Sequence, residues 1–226
     1  MSNFLDLPRE LRDQIYELCL LQQEPLDPWM DYYSQRQEST IGLLRASKTV
    51  HHEASTMFYA QNCFDFTTAT SEDIALFLGT IGRNADYIRH VRVSFPEFLY
   101  LDPGDVCLSG SDISILASIQ SRCPNLTTLT TSRYSTNITE LRLDALDYPK
   151  IVAEALKLVD THFRAIKSLH EIIIELYENS PNDHTRRKME SHGWTISTAE
   201  NMDEEEVDKN SWSDLELHDY SYGWLL

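Results

Sequence analysis

The sequence predicts an α/β chain: a helical N-terminal module, then stacked strand–helix units sharing a parallel sheet. Three observations predict it. Two stretches, near residues 7–20 and 41–59, carry apolar residues at helical spacing. Three later hexamers share an L-x-x-L-x-L pattern, loosely in the last place, and start at residues 88, 126 and 169. Helical segments fall between the hexamers, and strand–helix–strand order favours parallel pairing.

Each element has a local reason. Asp6 is a suitable cap for the first helix, and Pro8 suits its first turn, where a missing N–H costs little. Leu7, Leu11, Ile15 and Leu18 then fall on one stripe, with Arg9, Arg12, Asp13 and Glu17 off it. Residues 22–39 hold two prolines among polar groups and read as a loop. The second helix, Ile41 to Tyr59, lines up Leu43, Ser47, Val50, Ala54 and Met57. Cys63-Phe64-Asp65-Phe66 alternates like a short strand. Ser71 caps a helix that runs to Gly82, with Ile74, Phe77, Leu78 and Ile81 facing inward.

The hexamers are Ile88–Val93, Leu126–Thr131 and Leu169–Ile174, and helices over 112–122 and 149–166 separate them. Their spacing exceeds the roughly 20–29 residues of ordinary leucine-rich repeats, so as repeats the units would be irregular ones, the alternative being a generic α/β domain. Pleat geometry sorts their side chains: the L-type positions point to the helices and the residues between them to an open face. That face carries His90, Arg92 and Ser94, then Thr128, Thr130 and Ser132, then Glu171, Ile173 and Glu175. It runs from basic through neutral to acidic. Open sheet faces of stacked repeats commonly bind proteins, which makes His90, Arg92, Thr128, Thr130, Glu171, Ile173 and Glu175 the candidate target-binding face. Thr185–Ser191 reads as a short helix and Trp194–Thr198 as a fourth strand. Three regions follow: a helical module over 1–60, an α/β repeat-like domain over 61–199 and an acidic, aromatic segment over 200–226, expected to fold back and cap the last repeat, with a docking peptide for a partner as the alternative.

Composition narrows the function. The 226 residues are 42% hydrophobic and 10% aromatic, enough for a real core. A net charge of −17 argues against nucleic acid as a partner, because phosphate binding needs a basic stripe. Residues 200–226 are the most acidic part, with nine acids against Lys209 alone. No apolar run reaches the roughly 20 residues of a membrane span, and no basic, apolar leader opens the chain. The expectation is an intracellular protein, cytoplasmic or nuclear, that is not secreted and has no membrane partner. Cys19, Cys63, Cys107 and Cys123 form no CxxC pair, so free, buried thiols are expected.

No catalytic signal emerges. The densest ligand-type cluster, His51-His52-Glu53, sits on successive helical positions that diverge by about 100°, which suits a helix surface better than a metal. GxSxG, GxGxxG, a Walker loop and HExxH are all missing from the sequence. The reading is a non-enzymatic protein with no catalytic residue, metal or cofactor.

Phe4-Leu5-Asp6-Leu7-Pro8-Arg9-Glu10-Leu11-Arg12-Asp13-Gln14-Ile15-Tyr16 resembles the opening of an F-box, in the F-box-like form common in filamentous fungi. Leu43-Leu44-Arg45-Ala46-Ser47-Lys48-Thr49-Val50-His51-His52-Glu53-Ala54, followed by Phe58 to Phe66, resembles the second half of that module. Two departures stand out: the Pro-rich insertion at 22–39, and the missing tryptophan after Lys48. The resemblance implies an adaptor whose helices dock on a Skp-type subunit of a cullin–RING ubiquitin ligase while a leucine-rich-repeat-like domain holds a target. Carried over, the docking residues are Leu5, Leu7, Pro8, Leu11 and Ile15, with Leu43 and Leu44 from the second block. The competing expectations are a standalone interaction scaffold in which the same helices only cap the repeats, and, third, an enzyme whose site no motif reveals.

Overall fold

Pro8 sets the start of the first helix, α1 (Arg9–Leu20), in a computed structural model that describes residues 4–29, 42–146, 148–177 and 183–199. The expected cap, Asp6, instead ends a short 3-10 turn, Phe4–Asp6. The reason is steric: a proline biases the preceding residue to extended backbone, so Pro8 itself takes the capping position. The second helix is also split. Residues 42–45 make one helical turn, and α2 (Lys48–Gln61) begins afresh. Ser47 is its cap, with Oγ accepting from the Val50 N–H at 3.2 Å, a role serine fills better than a helix interior.

A strand β1 (Cys63–Asp65) leads to α3 (Ser71–Ile81). Its cap is Thr70 and not Ser71, because Thr70 closes a capping box with Asp73: each side chain accepts from the other's backbone N–H, at 3.2 and 3.1 Å. Gly82 ends the helix with φ of +56°. Next come β2 (His90–Val93) and a hairpin that the sequence did not announce, β3 (Phe98–Asp102) with β4 (Asp105–Leu108). The order continues with α4 (Gly110–Arg122), β5 (Thr128–Thr131) and a second unannounced element, α5 (Arg133–Asp144). Then follow α6 (Pro149–Arg164), β6 (Glu171–Tyr177), α7 (Asp183–Ser191) and β7 (Thr195–Ala199). The expected cap at 200–226 lies outside the described residues.

Five strands form one parallel sheet in the order β1-β2-β5-β6-β7, the order in which the chain makes them. Alternation decides its two faces. Phe64, Val91, Val93, Leu129, Ile172, Ile174 and Leu176 are buried, while the residues between them, Thr130 apart, are half-buried or exposed. One face is therefore packed under the helices and the other is open.

The three hexamers also share a hydrogen-bond signature. The N–H groups of Ile88, Leu126 and Leu169 donate to the carbonyls of Ala85, Cys123 and Ile166, at 3.2, 3.2 and 3.0 Å. Each acceptor residue is itself buried. The sequence pattern thus marks a recurring turn into a strand.

Most of the buried side chains form one large cluster around the sheet. A smaller cluster of Tyr16, Leu20, Val50 and Ala54 holds α1 to α2, and Phe58 packs against both. Leu26 extends the sheet by one bridge to Phe64, with its N–H on the Cys63 carbonyl and its carbonyl accepting from Asp65. The four cysteines are free; contrary to expectation only Cys123 is buried, with Cys63 and Cys107 half-buried and Cys19 exposed. No helix among the described residues is long and apolar enough to cross a membrane.

Candidate protein-interaction surfaces

The first surface is fixed by a buried carboxylate. Glu53 on α2, 9% exposed, accepts two bonds from the Arg12 guanidinium, at 3.0 and 2.7 Å, and one from the Tyr16 hydroxyl at 3.0 Å. Arg9 stands 3.4 Å from the same carboxylate, and Arg12 also donates to the Leu7 carbonyl at 2.6 Å. The Arg12 bonds hold the Glu53 carboxyl below its usual range. Burial and then the Glu53 bond push the Tyr16 hydroxyl up to about 12. Asn62 ties the other ends of the two helices, donating to the Leu20 and Phe58 carbonyls and accepting from Gln22.

This network decides which face of α1 turns outward. The sequence placed Arg12 off the stripe and Glu53 on a helix surface, yet both lie between the helices. Tyr16 and Leu20 make the buried face. Of the expected docking residues, Pro8 is exposed, Leu5 is 37% and Leu11 46% exposed, and Leu7 and Ile15 are half-buried. Leu18 is 87% exposed. Leu43 and Leu44 are half-buried against the small cluster. No local sequence signal marks the Arg12–Glu53–Tyr16 set, since its members lie on two helices separated by the 22–39 insertion.

The second surface is the open sheet face. Strand register puts His90, Thr128 and Glu171 in one row and Arg92, Thr130 and Ile173 in the next. His90 Nε2 lies 2.7 Å from Thr130 Oγ1, and burial pushes its imidazole below the ordinary value, against the pull of Glu171 and Glu175. Arg92 reaches Glu175 at 2.7 Å and Asp65 at 3.5 Å. The expected gradient from basic to acidic is therefore corrected: Arg92 is neutralised where it stands, by acids from both sides. Ser94 and Ser132 lie past the strand ends, with the Ser94 hydroxyl on the Thr67 carbonyl.

A depression of about 750 Å³ covers this face, with His90, Arg92, Ile173 and Glu175 on its floor and Glu24 and Tyr134 among its walls. The Cys63 thiol, also lining it, is pushed up to about 12 by burial and by Asp65, which makes it a poor nucleophile. Thr130 is 5% exposed, so its bond to His90 serves the sheet and not an incoming substrate. Among the described residues no group of three His, Cys, Asp or Glu is placed to hold a metal ion.

Fold and surfaces together define a mixed α/β protein with an open parallel-sheet face and a partly exposed apolar row on its first helix. No protein-family model, no curated protein and no solved structure matches this chain.

Proposed function

We propose that the chain is a protein-interaction adaptor of the F-box type. In this reading α1 docks on a Skp-type subunit of a cullin–RING ubiquitin ligase and the open sheet face receives a target protein. The carrying observation is the outer row of α1: Leu11 and Leu18 are 46% and 87% exposed on a helix whose other side is locked by Glu53, and Leu5, in the 3-10 turn before it, is 37% exposed. A row of large apolar side chains on a rigid helix is suited to a partner's groove. The recurring turn at Ile88, Leu126 and Leu169 supports reading the rest as an irregular leucine-rich-repeat-like solenoid. Its contribution to ubiquitin transfer is proximity, by holding target lysines near a charged partner.

The test is size-exclusion chromatography with light scattering on the chain mixed with a fungal Skp-type adaptor. A one-to-one complex is expected, lost in Leu11→Asp with the melting transition unchanged. No complex with the folded wild-type chain would overturn the reading. A standalone scaffold is the second reading, favoured by Leu26 and Phe58, which join the module to the edge of the sheet. It predicts that the chain stays folded and binds no adaptor.

A further inference from the structure

Helix α5 is built inside out. At about 100° per residue, Tyr134, Ile138 and Leu141 fall within roughly 60° of arc, and they are 71%, 42% and 48% exposed. The opposite side presents Thr136, Thr139 and Glu140 to the interior alongside Leu143. An ordinary surface helix has the reverse arrangement.

The rotation of α5 is fixed by its buried polar side. Thr136 bonds to Thr131 at 2.9 Å and to the Ser132 carbonyl at 2.7 Å, and Glu140 lies 3.4 Å from Arg186. Turning the apolar stripe inward would strand all of these groups. At the far end Arg142 donates to the Phe98 carbonyl at 2.9 Å, bringing up a hairpin whose Leu99 and Tyr100 are 55% and 56% exposed. At the near end the Arg133 guanidinium lies over the Tyr177 ring, 5.4 Å from its centroid. The buried Arg133 Nε has no hydrogen-bond partner, and no carboxylate among the described residues pairs with this arginine.

The occupant that fits is acidic first and aromatic after. Strand β7 ends at Ala199, which pairs in register with Tyr177, so the chain leaves the sheet beside the ring that Arg133 covers. Residues 203–208 then hold Asp203, Glu204, Glu205, Glu206 and Asp208, and Trp212, Tyr220, Tyr222, Trp224 and Leu225 follow. Residues 200–211 can span up to about 40 Å, whereas the stripe from Tyr134 to Leu141 is only about 10 Å long.

We propose that the outer face of α5 is the docking surface for this chain's own residues 200–226. The acidic run meets Arg133, and the aromatic residues cover Tyr134, Ile138 and Leu141. The proposal does not rest on adaptor binding by α1.

Hydrogen–deuterium exchange on the full chain tests it. Amides of residues 212–226 are expected to be protected at every protein concentration. Ile138→Asp or Leu141→Asp should lower that protection about tenfold, the scale of losing one buried large side chain. The slow amides of β6 should stay unchanged, which reports an intact fold. If Ile138→Asp perturbs β6, Tyr134→Ser is the replacement, since that side chain is 71% exposed. Arg133→Gln should weaken protection more at low salt than at high salt. Exchange of 212–226 at the unstructured rate would overturn the proposal, and so would protection that survives these variants. Protection that vanishes on dilution would assign the face to a second copy and overturn it equally.

Discussion

Glu53 shows how one residue can organise a module. Its carboxylate collects Arg12, Arg9 and Tyr16, so α1 has one allowed rotation on α2. Removing only the phenol oxygen isolates one bond: Tyr16→Phe should cost about 1 kcal/mol and lower the melting temperature by roughly 2–4 °C. The pH dependence has two signs. Glu53 titrates below its ordinary 4.5, so its stabilisation holds above that value and is lost as pH falls through the lower, folded one. Tyr16 titrates above its ordinary 10, so its contribution is complete below pH 10 and disappears as pH rises to about 12. Urea melts of wild type and Tyr16→Phe should therefore converge between those two alkaline limits. Parallel curves across that range would mean that Tyr16 is not held neutral by the fold.

Among the elements, α3 is the best example of local coding. Thr70→Ala removes the hydroxyl from the capping box and should cost about 1 kcal/mol, read from thermal melts. Ser71→Ala should cost little by comparison, since Ser71 is not the cap. Elements with apolar spacing and clear end signals were legible in the sequence. Pro149 opens α6, and Ile151, Ala155, Val159 and Phe163 lie on its buried side. The three hexamers supplied β2, β5 and the first half of β6. Helix α5 went unread although Tyr134, Ile138 and Leu141 repeat at helical spacing: that stripe faces outward, and of its buried positions Thr136, Thr139, Glu140 and Leu143 only the last is apolar. The β3–β4 hairpin turns at Pro103-Gly104, where Gly104 has φ of +80°, but its Leu99, Tyr100 and Leu101 run breaks simple alternation. Half of the proposed docking surface was legible too. The row of α1 could be read from spacing, but its outward rotation depends on partners some 40 positions away, beyond any local pattern.

For the whole molecule, the sheet explains where stability resides. Strands β2, β5 and β6 are flanked on both sides, whereas β1 and β7 lie nearer the edges. Amide exchange should accordingly be slowest in β5 and β6 and faster in β7, a ranking read from exchange on native protein. Equal protection in β7 would mean that something further pairs with it. The open face has little free charge at Arg92, which is shared between Asp65 and Glu175, so binding of the proposed target there would depend more on shape and hydrogen bonding than on long-range attraction.

The bridge at Leu26 bears on how copies of this protein can stick together. A sheet propagates only through strands whose outer backbone groups are unsatisfied. On the β1 side, Leu26 already occupies the Cys63 carbonyl and the Asp65 N–H. On the other side, Thr195–Ala199 is uncharged, lacks proline and has no further strand among the described residues. A particle with one adhesive rim saturates as a pair, whereas two such rims are needed for a fibre. Concentrated protein should therefore stop at dimers when it self-associates through the edges of the five-stranded sheet, and elongated assemblies built on that sheet should demand that the short contact at Leu26 be broken first.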